Sequence, residues 1–266
     1  MRVAVYQCES RPNDVSANLD RMARAAQSAA ADDVRLLLFP EMFLSGYNIG
    51  ASAAHRLAEP HDGASAQAVM KIARELEVAI VYGYPERAAP ATVFNAVQVI
   101  DFNGESVANY RKTHLFGDLD RSMFAPSAEP PPVVTLGGWR LGLLICYDVE
   151  FPENVRRLAL AGADLVAAPT ANMTAYEFVA TTVVPVRAYE NQVYLAYANY
   201  CGREGELDYC GLSCIAAPDG TLATGAGHGE ALIMADLDLE RLQASRSTNT
   251  YLSDRRPELY GGLASP

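Results

Sequence analysis

Three apolar, strand-like runs in this chain each end on a reactive side chain, and the three side chains are chemically complementary. Residues 36–40 (Leu-Leu-Leu-Phe-Pro) lead into Glu41, residues 107–111 (Val-Ala-Asn-Tyr-Arg) into Lys112, and residues 141–145 (Leu-Gly-Leu-Leu-Ile) into Cys146. A carboxylate, an ammonium and a thiol suit acyl transfer, because a base can take the thiol's proton and a nearby cation can stabilise the thiolate. If the three strand ends converge, the arrangement predicts an amide-cleaving enzyme.

The chain has 266 residues and shows no Pro/Gly/Ser-rich linker between two hydrophobic halves, so a single domain over 1–266 is expected. Half of the residues are apolar and a fifth are charged, ample for a sizeable core. A formal charge of −11 argues against nucleic acid as a partner, since a polyanion would be repelled by most of the surface. No apolar run is long enough to span a bilayer, and the N-terminus enters Val3-Ala4-Val5-Tyr6 without signal-peptide architecture, so no membrane association is expected. The five cysteines (Cys8, Cys146, Cys201, Cys210 and Cys214) are an odd number in a chain too long to need disulfide staples, which suits a reducing cytoplasm. Cys201, Cys210 and Cys214 contain no Cys-x-x-Cys pair and have no histidine close in sequence, so they read as buried structural thiols and no metal site is expected.

Strand and helix signals alternate along the first half. Residues 2–8, 34–39, 78–83, 94–100 and 105–110 read as strands, and 15–31 and 63–76 as helices. Asn103-Gly104 marks a hairpin turn. Beyond Pro130-Pro131-Pro132, residues 133–136, 139–146, 165–168, 194–198, 213–217 and 231–236 read as strands, with helices over 154–161 and 178–190. These patterns alone give an α/β chain with some antiparallel strand pairs.

The segments Leu38-Phe39-Pro40-Glu41-Met42-Phe43-Leu44-Ser45-Gly46-Tyr47, Tyr110-Arg111-Lys112-Thr113-His114-Leu115-Phe116 and Ile145-Cys146-Tyr147-Asp148-Val149-Glu150-Phe151-Pro152-Glu153, in this order and at these separations, resemble signatures of the nitrilase superfamily of carbon–nitrogen hydrolases. Arg187-Ala188-Tyr189-Glu190-Asn191 and Gly211-Leu212-Ser213-Cys214-Ile215 extend the resemblance over nearly the whole chain. It implies a four-layer αββα sandwich of two mixed sheets with helices outside. It also implies catalysis by Glu41, Lys112 and Cys146 with neither metal nor organic cofactor. By the same resemblance, the polar tail from Thr248 to Pro266 packs across the interface of a homodimer or higher homo-oligomer.

The individual residues carry competing readings. Cys146 at a strand-to-helix turn can be the nucleophile beside the N–H of Tyr147, or a small buried hydrophobe at a strand end. Glu41, desolvated beside Phe39, Met42 and Phe43, is the candidate general base, because burial raises a carboxyl pKa. Lys112 competes with a solvated basic stretch, but strand alternation sends only one of Arg111 and Lys112 inward. His114 reads as support for the site, since the family uses no catalytic histidine. The family's second glutamate has no direct counterpart in Gly117-Asp118-Leu119-Asp120-Arg121. Asp120 is the nearest match; alternatively Asp118 and Asp120 both pair with Arg121 at the surface.

Glu150 stands where relatives that hydrolyse ω-amides of dicarboxylates tend to carry arginine. Its reversed charge points to a neutral or amine-bearing small carboxamide as substrate. Tyr47, Tyr147 and Asn172 are candidates for substrate contact, and each equally serves as a packing or turn residue. N-carbamoyl amino acid hydrolysis and nitrile hydrolysis are rival reactions, and a non-catalytic binding or scaffold protein on the same fold is the rival of another class.

Overall fold

A computed structural model describes residues 1–90 and 92–264. The chain begins with β1 (Arg2–Glu9), α1 (Val15–Ala31), β2 (Leu36–Leu38), α2 (Gly50–Leu57) and α3 (Ala64–Leu76), followed by the meander β3 (Ala79–Ala89), β4 (Thr92–Ile100) and β5 (Ser106–Arg111). It continues through α4 (Gly117–Met123), β6 (Val133–Leu136), β7 (Trp139–Leu143), α5 (Pro152–Leu160), β8 (Leu165–Pro169), α6 (Val184–Asn191) and β9 (Tyr194–Ala198). The last part contains β10 (Tyr200–Glu204), β11 (Leu207–Cys210), β12 (Cys214–Ala216), β13 (Leu222–Gly225), β14 (Ala231–Asp236) and α7 (Leu239–Thr248).

These strands form two mixed sheets. One runs β11-β10-β1-β2-β3-β4-β5 with β14 also paired to β1, and the other runs β13-β12-β9-β8-β7-β6. The strand period of two then sorts the apolar residues into three layers. Val3, Val5, Leu36, Leu38, Leu141, Leu143, Leu165 and Ala167 fill the space between the sheets. Ala4, Leu37 and Ile80 face α1 and α3, meeting Met22, Ala26, Val69 and Ala73. Val166, Ala168 and Leu195 face α5 and α6, meeting Val155, Leu158, Val184 and Ala188. A strand such as Leu36-Leu37-Leu38 is apolar throughout because both of its faces are covered. The result is the four-layer αββα sandwich.

The chain passes from one sheet to the other between β9 and β10 with only Asn199 intervening. Asn199 is fully buried, and its amide nitrogen donates to the carbonyls of Asn172 (3.1 Å) and Gly211 (2.7 Å). Its amide oxygen accepts from the Asn172 N–H at 2.7 Å, and its own N–H donates to Ser213 Oγ at 2.9 Å. One side chain thus satisfies the backbone groups freed where the strand changes sheets.

Several expectations are corrected. The strand expected over 139–146 stops at Leu143, because Cys146 has φ +47° and begins a tight turn over Cys146–Glu150. The helix expected over 178–190 is a wide turn at Val179–Val183 followed by α6, with Pro185 in the first turn of α6. β10, β11, β13, α2, α4 and α7 had no element assigned from sequence. In the tail, Tyr251 meets Tyr189 of α6 with ring centroids 5.8 Å apart, and Leu252 packs on the outer core. The end of the expected interface segment, residues 265–266, lies outside the described residues.

Candidate active site

Glu41 sits in the turn that follows β2. The Phe39 N–H donates to the Val81 carbonyl as the last ladder link (2.9 Å), and the Glu41 N–H donates across to Thr170 of the other sheet (3.3 Å). The turn needs room beneath it: a Cβ on Gly83 would lie 2.2 Å from the Met42 nitrogen, so only glycine lets β3 pass this close. Lys112 follows β5 directly, its N–H donating to the Asn95 carbonyl of β4 at 2.8 Å. Alternation places Tyr110 in the inter-sheet core, sends Arg111 outward to Glu86, and turns Lys112 inward. Cys146 opens its turn from a left-handed backbone conformation. The first N–H groups of such a turn, that of Tyr147 included, have no partner within it.

The three strand ends converge. Lys112 Nζ donates to Glu41 Oε1 and to Asp120 Oδ2, each at 2.7 Å, and all three side chains are fully buried. Asn95 Nδ2 also donates to Glu41 Oε1 at 2.7 Å. Both donors therefore use one oxygen of Glu41, while Oε2 has no hydrogen-bond partner among the described residues. Burial raises the Glu41 pKa, as does the charge of Asp120, against the opposing pull of Lys112 and the Asn95 hydrogen bond. Burial works against the charge of Lys112, but Glu41 and Asp120 outweigh it and hold the ammonium well above the usual lysine range. Burial also raises the Cys146 thiol, as does Glu41; Lys112, the Thr170 hydroxyl and the Ala171 N–H favour the thiolate. Burial thus raises both groups, disfavouring the thiolate and making the neighbouring carboxylate more basic. Of the five cysteines, all within the described residues, Cys146 is the one that keeps part of its surface exposed, although its thiol lies deep enough for burial to raise it.

Asp120 reaches this centre because α4 turns it inward, where it also accepts from the Phe116 N–H at 2.8 Å. The shared surface pairing with Arg121 is corrected: Asp118 alone approaches Arg121, at 3.7 Å in solvent. Tyr47 is buried with its ring 5.8 Å from Lys112 Nζ. Tyr147 stands edge-on to Phe116 and Phe151. Glu150, half-buried, has its carboxyl pKa raised by burial against the pull of Lys112 and Arg187. Asn172 is engaged elsewhere, its amide nitrogen donating to the Tyr176 carbonyl at 3.0 Å. His114 turns to Asp148, with Nδ1 2.9 Å from Oδ1, and stacks on Phe151. Glu190 pairs with Arg187 (3.0 Å), and Asn191 donates to the Arg187 carbonyl.

Two neighbours of the site escaped sequence reasoning. Asn95 is a polar residue within the apolar run Val93-Phe94-Asn95-Ala96-Val97, a signal visible in the sequence but not tied to Glu41. Thr170, whose buried hydroxyl lies near enough to the Cys146 sulfur to favour the thiolate yet makes no other contact of hydrogen-bond geometry among the described residues, gave no signal beyond its place at a strand end.

Among the described residues no helix is long and apolar enough to cross a membrane. The carbon-nitrogen hydrolase family model matches residues 2–247. A Pseudomonas protegens protein called "Hydrolase in pqqF 5'region" is 58% identical, the match covering 99% of this chain and 92% of that one. An (R)-stereoselective amidase from a Pseudomonas species is 37% identical over 98% of this chain and 93% of its own. The solved NitN amidase of Nesterenkonia sp. AN1 superposes with a TM-score of 0.90 at 37% identity, covering 99% of each chain. Variants of that amidase have been solved in complex with acrylamide and with acrylamide added at the active-site cysteine. The buried acid–amine–thiol centre, the sandwich around it and these likenesses agree: this chain is an enzyme of the carbon-nitrogen hydrolase family, in the amidase-like part of the nitrilase superfamily.

Proposed function

We propose that the protein hydrolyses a small carboxamide to the acid and ammonia through a thioester on Cys146. Glu41 Oε2 takes the thiol proton as the sulfur attacks the carbonyl carbon, and Lys112 and the Tyr147 N–H receive the developing oxyanion. The tetrahedral species collapses, the C–N bond breaks, and Glu41 returns the proton to the departing ammonia. A water deprotonated by the same carboxylate then attacks the thioester, releasing acid and thiol. Asp120 holds Lys112 charged and in place in the role of the second acid. The observation that carries this reading is the division of labour on Glu41, with one oxygen bound to Lys112 and Asn95 and the other unpartnered.

Glu150 supports a neutral or amine-bearing amide over one with an acidic tail. It lies half-buried in the turn that Cys146 opens, close enough for Lys112 and Arg187 to favour its carboxylate. Tyr47, buried with its ring 5.8 Å from Lys112 Nζ, is the further candidate for substrate contact, while Asn172 braces the neighbouring chain through the Tyr176 carbonyl. We further infer a single catalytic domain acting in the cytoplasm as a homodimer or larger homo-oligomer, with the 248–266 tail at the subunit contact. Exposed Leu160, Tyr189 and Leu259, on or near α5 and α6, support that contact.

The test is ammonia release across a panel of aliphatic, amino-acid and ω-amide carboxamides, N-carbamoyl compounds and nitriles. Neutral and amino-amides should be turned over and Cys146→Ala should be inactive yet folded. Wild-type rates from that variant defeat the assignment; carbon dioxide release or preferred nitrile turnover replaces it with one of the rival reactions.

A further inference from the structure

Two residues beyond the nucleophile lies a second buried carboxylate that takes no part in the proton transfers above. Asp148 is fully buried, and five donors converge on it. Its Oδ1 accepts from Thr113 Oγ1 (2.9 Å), the His114 N–H (3.0 Å) and His114 Nδ1 (2.9 Å). Its Oδ2 accepts from the Tyr110 hydroxyl (2.9 Å) and the Ile145 N–H (3.2 Å). Among the described residues it has no lysine or arginine partner in an ion pair.

The origin of these donors matters. Tyr110, Thr113 and His114 flank Lys112 on both sides, whereas Ile145 is the residue from which the chain bends into the left-handed conformation of Cys146. We propose that Asp148 is a positioning residue that fixes the Lys112 segment against the Cys146 turn, setting the placement of ammonium and thiol for the attack. Glu41 and Asp120 fix Lys112 Nζ from its tip; Asp148 fixes the backbone on which that side chain stands. A left-handed non-glycine residue is held only where its surroundings over-determine it, and the bond from the Ile145 N–H supplies one such restraint. Oriented groups lose rate steeply when displaced by about 1 Å, on the order of 100-fold.

Asparagine cannot replace this carboxylate. It offers one accepting oxygen, and its amide nitrogen would face hydroxyl and N–H donors on the other side. The inference rests on the nucleophile reading above, and the Cys146→Ala control separates the two failures: an active alanine variant defeats that reading, whereas an inactive one alongside fully active Asp148 variants defeats this inference alone. For Asp148→Asn, kcat for a small carboxamide should fall about 100-fold with KM within about threefold, since the ground-state pocket is untouched. The pH profile of Cys146 alkylation by iodoacetamide should move to higher pH, because a displaced ammonium favours the thiolate less. A purely structural role lowers the melting temperature and leaves the kcat of folded enzyme and the alkylation profile unchanged, which overturns the proposal. If Asp148→Asn does not fold, Thr113→Val removes one donor from the lysine side. A roughly fivefold or greater loss of kcat with the same direction of alkylation shift supports the clamp, and wild-type values overturn it.

Discussion

Arg111 and Lys112 are adjacent cations at the end of one strand, and each meets buried carboxylate oxygen, yet they serve opposite ends. Arg111 points outward and engages both oxygens of Glu86, at 2.5 and 2.9 Å, while Asn109 adds a third bond at 2.8 Å. Both oxygens of Glu86 have a partner, and the guanidinium remains partly in water. Lys112 points inward, is sealed from water, and is shared by two carboxylates that each keep one oxygen without a partner among the described residues. A saturated pair stabilises; a buried pair with spare acceptor capacity is poised for a proton. Pairing distance alone does not tell the two apart, but the fate of the second oxygen does.

The comparison breaks most severely at Lys112. Lys112→Met should remove detectable ammonia release and cost about 3–5 kcal/mol in denaturant unfolding, because two buried carboxylates lose their shared cation. Glu41→Gln should come next, retaining the fold while kcat/KM falls by roughly 10²–10⁴ for loss of the base. Smaller effects should appear in the pH profile. Glu41 must be ionised to accept the thiol proton, and burial raises its pKa, so the acid limb of kcat/KM lies above the ordinary carboxylate range. Asn95→Leu removes a hydrogen bond that favours the ionised form and should move the limb further up. Asp120→Asn removes a like charge and should move it down, so opposite displacements of the two limbs are the signature to measure. The smallest effect on turnover belongs to Arg111→Met, with kcat within about twofold of wild type and a stability loss of about 1–3 kcal/mol by thermal or denaturant melting. A large kcat loss there would erase the distinction between the two cations.

The site was more legible than parts of its scaffold. Glu41, Lys112 and Cys146 stand at the ends of apolar runs, where composition changes abruptly; alternation over Tyr110, Arg111 and Lys112 allowed only one of the two cations inward, and the family resemblance picked Lys112. Asp120 was ambiguous because the choice between it and Asp118 depends on the rotation of α4, a seven-residue helix with no apolar stripe to show its inner face. β10 and β11 were overlooked because Gly202-Arg203-Glu204 lacks alternation and the sheet change at Asn199 rests on hydrogen bonds from residues distant in sequence. α7 buries only Leu242, so its sequence carries no helical period. Strand ends near Cys146 were misjudged for a related reason: a left-handed cysteine is set by its surroundings and leaves no compositional mark.

The passage of β9 into β10 through a single residue has a mechanical consequence. Glu41 follows a strand of one sheet and Cys146 a strand of the other, so parting the sheets would separate the proposed base from the proposed nucleophile, and an unbroken backbone riveted by Asn199 resists that motion. Mutations that loosen this seam should therefore blunt turnover before they visibly unfold the molecule.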